Sequence, residues 1–275
     1  MKNYGQIIEQ VSIIAMAAEG KCVAKVDGMV IFVHGVAPGD VADIKLIKRD
    51  KKFYEAVPVH FHSYSDLRSE PFCAHFGVCG GCKWQHLGYE TQLSFKHKQV
   101  KDALERIAKV PIPDINPILS SKDTTFYRNK LEYTFSNQRW FENSEREVEH
   151  KENNGLGFHI PGRFDKILNI EKCYLQADPS NAIRNGLNAF CLRNGFGFFD
   201  IRKQEGLMRN LIIRISSTGE VMVIVQFYYE DLQAIDLIMN YLKNEFPQIT
   251  SLLYVVNSKG NETIFDQNII TFHGK

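Results

Sequence analysis

Along residues 1–62 apolar and polar positions alternate in short runs. "MVIFVHG" and "VADIKLIKR" are rich in β-branched residues and are separated by "VAPGD", a Pro-Gly turn signal. "FYEAVPVHF" supplies a further strand. Several short strands in so few residues predict a small closed barrel, because closure removes exposed sheet edges. Residues 63–88 show no period and read as loop. From Tyr89 the period becomes helical. Leu93, His97, Val100, Leu104 and Ile107 recur at spacings of three and four, predicting one inward face in "YETQLSFKHKQVKDALERIAKVP", which Pro111 ends.

Beyond residue 112 the two periods mix. "LEYTFSNQRWF" and "GLGFHI" read as strands. "DPSNAIRNGLNAFCLRNG" reads as a helix, with Asp178 as N-cap, Pro179 at the first helical position, Gly195 past its end and a stripe of Ile183, Leu187, Phe190 and Cys191. "NLIIRISSTGEVMVIVQF" predicts a hairpin turning at Thr218-Gly219. A helix follows in "DLQAIDLIMNYLKNEF", with Leu232, Ile235, Ile238 or Met239, and Leu242 inward. "SLLYVVNSKGNETIFD" predicts a second hairpin, turning at Lys259-Gly260. The class expected is therefore α+β: a β-barrel over 1–62, then an antiparallel α+β domain over 63–275 instead of a doubly wound parallel sheet.

Composition changes this picture little. The 275 residues suit two domains. No segment approaches the roughly 20 apolar residues of a membrane span, and the N-terminus lacks a signal-peptide layout. A cytoplasmic protein with no membrane partner and no obligate protein partner is expected. The net charge of +1 announces no global nucleic-acid-binding field. The densest basic run is "KLIKRDKK", where Lys45, Lys48, Arg49, Lys51 and Lys52 outweigh Asp50. Such a run is either a solvated strand end or a phosphate-binding patch.

The chemistry concentrates in "CAHFGVCGGCKWQHLGYETQ". Cys73, Cys79 and Cys82 fall within ten residues, spaced C-x5-C-x2-C. In a reducing compartment such a cluster points to metal or catalysis before disulfides. Close thiolates repel unless a cation neutralises them, and soft-ligand sites take zinc or an iron-sulfur cluster. Gly80 and Gly81 let the backbone approach an inorganic core and offer it N–H groups. For a fourth ligand, Cys22 and Cys191 read as buried small hydrophobes. Cys173 lies in a loop ahead of a helix, a good address for a thiolate; His75 or His86 completing a zinc site competes with it. A triplet plus a remote singleton is the more usual layout of iron-sulfur proteins.

These residues also carry a resemblance. "CAHFGVCGGCKWQHLGYETQLSFKHKQV", then "FYRNKLEYTF", then "EKCYLQ", resemble the RNA uracil-5-methyltransferases, nearest the iron-sulfur branch that acts on 23S ribosomal RNA. The resemblance implies that residues 1–62 are a TRAM domain, an OB-like RNA-binding barrel. It also implies a 4Fe-4S cluster on Cys73, Cys79, Cys82 and Cys173, and RNA as partner. In that family a cysteine adds to uracil C6, C5 takes the methyl of S-adenosylmethionine, and a base removes the C5 proton. The family places this chemistry in a Rossmann-like domain. No Gly-rich loop after a strand, no Asp-Pro-Pro and no Ser-Cys-Asn-Pro segment is found here. The expectation is thus of a front piece truncated before its catalytic domain and inactive alone. It would have no catalytic or S-adenosylmethionine-binding residues of its own, the cofactor belonging to the intact enzyme.

RNA contacts are expected at Lys48, Arg49, Lys51 and Lys52. They are also expected in "YRNK", where Arg128 and Lys130 meet phosphates, Tyr127 stacks and Asn129 reads a base edge. "HIPGRF" offers His159, Arg163 and Phe164, whereas Arg209 and Arg214 read equally well as salt-bridge residues. Two rival readings stand beside this one: a zinc-stabilised RNA-binding module without catalysis, and an iron-sulfur electron-transfer protein.

Overall fold

The structure, a computed structural model, describes residues 4–50, 52–142, 145, 149 and 152–274. They form two compact units, Met1–Gly77 with Cys82–Lys122 and Val78–Gly81 with Asp123–Lys275.

The first unit holds β1 (Ile7–Ser12), β2 (Ala15–Met16), β3 (Cys22–Val26), β4 (Met29–Val33), β5 (Val41–Arg49) and β6 (Phe53–Ser63), in the order β1-β5-β6-β4-β3-β2. Alternation along β5 sends Ala42, Ile44 and Leu46 into the core and leaves Lys45, Ile47 and Arg49 outside, whereas Lys48, of core parity, is exposed beyond a register shift after Leu46. With Cys22, Ala24, Ile31, Val33, Tyr54 and Ala56 the three inward residues form one apolar cluster. The closed barrel expected here is corrected. Among the described residues no ladder joins the outer strands β1 and β2, and β4 lies parallel to β6, so the sheet is open and mixed. Chain order explains the parallel pair, because β5 is inserted between β4 and β6 and pairs with the other side of β6.

Asp40, in the turn before β5, is fully buried. Its carboxylate accepts the N–H groups of Ala37 (2.6 Å) and Ser65 (2.9 Å), and both Arg68 Nε (2.9 Å) and Nη2 (2.7 Å). Burial pushes the carboxyl up, yet the Arg68 guanidinium and these N–H groups hold it below the ordinary range. The Arg68 guanidinium also lies over the rings of Phe61 and Tyr64, at 5.0 and 5.2 Å.

α1 (Tyr89–Asp102) runs on into a π-type segment, Ala103–Ala108. Its expected inward face is corrected. Leu93 is buried, but Val100 is exposed and Ile107 is 81% exposed. The period reports which side chains share a face, not whether anything covers it.

The second unit holds β7 (Lys130–Ser136), β8 (Gly155–Ile160), β9 (Arg163–Asn169), α2 (Ser180–Arg193), β10 (Met208–Ile215), β11 (Val221–Phe227), α3 (Leu232–Glu245), β12 (Ile249–Val256) and β13 (Ile270–Gly274). The sheet order is β13-β12-β11-β10-β7-β8-β9. The β10–β11 hairpin forms as expected. The all-antiparallel sheet does not: β11 and β12 are parallel, joined by α3 as a β-α-β unit. A helix between two neighbouring strands returns the chain to the same end of the sheet, which parallel pairing requires. The hairpin expected at Lys259-Gly260 is corrected too, since β12 pairs with β13 across the long connection 257–269.

Ile183, Leu187 and Cys191 of α2, and Ile235, Ile238, Met239 and Leu242 of α3, bury against the sheet residues Tyr133, Phe135, Leu211, Val223, Val225 and Leu252. Asp231 Oδ1 caps α3 by accepting the Ala234 N–H at 3.1 Å; in α2 the N-cap position falls on Pro179, not on the expected Asp178, whose Oδ1 accepts the Asn181 N–H at 3.2 Å from one residue earlier. Leu232, expected inward, is 65% exposed.

Candidate functional site

The cysteine loop is built on turns. Cys73 O accepts the Phe76 N–H at 3.0 Å, and Gly77 takes φ +89°. Gly80 N–H donates to His159 O at 3.1 Å, and a Cβ at Gly80 would fall 2.5 Å from that oxygen. Only glycine permits this approach. Gly81 N–H points at Cys79 Sγ, 3.3 Å away. No disulfide joins any of the six cysteines. Cys73, Cys79 and Cys82 are partly exposed and Cys173 is buried. Cys173 is held by backbone: its N–H donates to Asn181 Oδ1 at 2.8 Å, its carbonyl accepts Asn181 Nδ2 at 3.1 Å, and Arg184 Nη1 braces Asn181 Oδ1 at 3.1 Å.

Cys22 and Cys191 behave as buried hydrophobes. Burial pushes the Cys22 thiol up to about 12, and it donates to Val36 O at 3.0 Å. Burial raises Cys191 still further. His86, the competing ligand, is buried with Nε2 3.2 Å from Val36 O; burial depresses its protonation. Cys73 and Cys82 fall in the first unit, Cys79 and Cys173 in the second. Among the described residues no three His, Cys, Asp or Glu side chains are gathered to hold a metal ion. The donor chemistry suits a thiophilic metal.

The basic run ending β5 is partly neutralised from within. Glu55, opposite Lys48 on β6, is buried and accepts Lys48 Nζ at 3.0 Å. Lys21 Nζ lies 3.4 Å from its other oxygen, and His34 Nε2 3.0 Å. Hydrogen bonds from His34 and Lys48 overcome desolvation and lower the Glu55 carboxyl to about 2. Lys48 is therefore engaged. Arg49 and Lys52 are exposed, and Lys51 lies outside the described residues.

The segment before β7 is fixed by its backbone: Phe126 N–H donates to Tyr174 O (2.7 Å), Arg128 N–H to Leu175 O (2.8 Å), and Ile215 N–H to Asn129 O (2.9 Å). With the backbone so held, Tyr127, Arg128 and Asn129 stay exposed, and Lys130 pairs with Glu132 at 3.1 Å. Arg209 directs its guanidinium donors to backbone carbonyls. It is buried, lies 4.6 Å from the Phe199 ring, and donates to the carbonyls of Asn257, Lys259 and Asn261 at 2.6–2.9 Å.

The turn in "HIPGRF" holds more than the sequence signalled. Pro161-Gly162 turns β8 into β9, Gly162 supplying φ +75°. Ile160 pairs with Arg163, but the next pair is His159 with Ile167. Phe164, Asp165 and Lys166 thus form a bulge. Phe164 is left 61% exposed. Asp165 accepts Arg202 Nε at 3.1 Å and Nη2 at 2.7 Å, placing that guanidinium 5.2 Å from the Phe164 ring. An open cavity of about 560 Å³ is lined here by His159, Ile160, Gly162, Arg163, Phe164, Ile201 and Glu262. Only "HIPGRF" signalled it.

The comparisons with known proteins bear on this geometry. No protein-family model matches the chain. A Bacteroides thetaiotaomicron protein named an uncharacterized RNA methyltransferase is 51% identical over 265 residues, covering 94% of this chain and 58% of that protein. The chain is similar to RNA methyltransferases. Relatives of the same name occur in Porphyromonas gingivalis (47% identical, 94% of this chain, 57% of that protein) and Chlorobaculum tepidum (35%, 97% and 56%). The chain spans just over half the length of these relatives. Its fold is shared with the Pyrococcus abyssi tRNA (uracil-54, C5)-methyltransferase solved with S-adenosyl-L-homocysteine, at TM-score 0.65 and 22% identity, over 97% of this chain and 56% of that one.

These likenesses correct the expectation of a non-catalytic binding module that lacks the Rossmann-like domain. The similarity runs through 94–97% of the chain and is to RNA methyltransferases throughout. The zinc module and the electron carrier find no support in it. Among the described residues no helix is long and apolar enough to cross a membrane.

Proposed function

We propose that the protein carrying this sequence methylates RNA at uracil C5 with S-adenosylmethionine as donor. The observation that carries the reading is the 51% identity over 94% of the chain to a protein named an RNA methyltransferase; the fold shared with a uracil-C5 enzyme supports the base and the atom. A base that undergoes chemistry must leave its stack, so such an enzyme needs surfaces for unpaired RNA. Arg49 and Lys52 at the end of the first sheet, Tyr127, Arg128 and Asn129 before β7, and Arg163 on the β8–β9 turn are exposed and supply cations and a ring. Lys48 and Lys130 contribute once their carboxylate partners yield.

The finer reading is a ribosomal RNA substrate and an iron-sulfur cluster on Cys73, Cys79, Cys82 and Cys173. It rests on the cysteine spacing and the Gly81 N–H directed at Cys79 Sγ. When bound, the cluster would supply a cross-link or a redox response, and no step of methyl transfer is routed through it.

The test is transfer from labelled S-adenosylmethionine to uridine-containing RNA by the native protein, with 5-methyluridine measured after nuclease digestion. RNA binding without 5-methyluridine would refute the reaction. No RNA binding at low salt would refute the substrate class.

A further inference from the structure

The cavity at the β8–β9 bulge is built more elaborately than a surface hollow. Phe164 presents an exposed ring backed by the Arg202 guanidinium, which two hydrogen bonds fix to Asp165. Asp165 is itself held below the ordinary carboxylate range, chiefly by Arg202. Asp200 anchors the turn that carries Arg202, accepting the N–H groups of Arg202 and Lys203 at 2.9 and 3.0 Å. The opposite rim is fixed as firmly. Arg209 gathers the carbonyls of Asn257, Lys259 and Asn261, and Asn257 Nδ2 donates to Asn261 O and Thr263 O at 3.1 and 3.3 Å. That pinned loop sets Glu262 on the cavity wall. Arg163 is 51% exposed beside Phe164, making one long contact of 3.4 Å to Asp165.

An aromatic face, a carboxylate and a half-exposed guanidinium around about 560 Å³ match one unstacked nucleobase and its phosphate. The carboxylate decides which base. It accepts only, so it repels the two carbonyl oxygens that flank uracil N3–H. It accepts two parallel hydrogen bonds from the N1–H and N2–H of guanine.

Resting on the RNA reading above, we propose that this cavity receives a single unpaired guanine of the RNA substrate. The base stacks on Phe164, its N1–H and N2–H donate to Glu262, and Arg163 meets the adjacent phosphate. The cavity would then select the sequence context of the RNA, apart from the uridine that is modified.

The experiment is fluorescence anisotropy with 5′-labelled UUGUU, UUIUU (inosine lacks the N2 amine) and UUUUU, at low salt. Wild type, Phe164→Ala, Phe164→Trp and Glu262→Gln are compared, with circular dichroism confirming that each variant is folded. Base stacking is worth roughly 5- to 150-fold in affinity. Phe164→Ala should therefore weaken UUGUU binding at least about 5-fold, and Phe164→Trp should restore it. Wild type should bind UUGUU more tightly than UUIUU and UUUUU, and Glu262→Gln should remove that preference. Equal affinity of wild type for the three RNAs, or unchanged binding by folded Phe164→Ala, overturns the guanine site while leaving RNA binding intact. Failure of wild type to bind any of the three overturns the RNA reading and the guanine site with it.

Discussion

Replacing Glu55 by glutamine should cost stability and strengthen RNA binding at once. In the wild type one buried carboxylate holds Lys48, Lys21 and His34 at 3.0–3.4 Å. A carboxyl lowered from 4.5 to about 2 would be worth about 3 kcal/mol if nothing screened it. The Lys48 and His34 side chains are 59% and 40% exposed, so solvent reduces that to about 1–2 kcal/mol. The folded carboxyl lies below its unfolded value. Its contribution is therefore complete above pH 4.5 and lost as pH falls towards 2. At pH 7 the urea midpoint of Glu55→Gln should fall by about 0.5–1 M. The gap from wild type should close steadily between pH 4.5 and 2. The same change releases Lys48 and Lys21, so RNA binding should tighten, and its dependence on log salt should steepen by about 0.7 for each lysine that reaches a phosphate. A stability gap that is constant from pH 7 to pH 3 would show that Glu55 acts through packing, not charge. An unchanged salt slope would show that Lys48 faces no phosphate.

Three further outcomes are expected. Anaerobically purified protein should contain about four irons per chain; Cys173→Ser should lower that content and Cys191→Ser should not, and equal iron in Cys173→Ser and wild type would reject Cys173 as a ligand. Arg68→Ala should destabilise the first unit by about 3–5 kcal/mol, because it strands the buried Asp40 carboxylate; thermal unfolding within 1 °C of wild type would contradict this. Arg209→Met should raise amide exchange in residues 257–263, whose carbonyls lose their guanidinium, and unchanged protection there would show that the loop is held by other contacts.

Much of the secondary structure was legible because burial on one face writes a period into the chain. β5 shows it in Ala42, Ile44 and Leu46 against Lys45 and Ile47, and α2 in Ile183, Leu187 and Cys191. What failed was information the period does not carry. α1 has an apolar stripe whose later members remain exposed, and β11–α3–β12 gives the same pattern whether its strands run parallel or not. Charge misled in a similar way. Arg209 reads as surface from its residue type but is buried under two aromatic rings with its donors on carbonyls, and Lys48 reads as available although Glu55 holds it. The candidate guanine site was only half visible. "HIPGRF" named Arg163 and Phe164, but the bulge that exposes Phe164 breaks the alternation such a reading depends on. Arg202 and Glu262 arrive from segments about 40 and 100 residues further along the chain.

The Asp40–Arg68 pair also bears on how the first unit comes into being. Twenty-eight positions separate the two residues. At ~5–20 residues per second of synthesis, Arg68 follows Asp40 by roughly 1–6 s. β5 and β6 are themselves made within that interval, β6 ending at Ser63 before Arg68 appears, and sealing the sheet at that stage would enclose a lone anion. The nascent sheet is therefore kept loose until residues 65–68 are made, which delays its commitment to one packing. A recombinant fragment cut at residue 62 would remain permanently in that waiting condition, whereas one cut after residue 68 would carry its own closing charge.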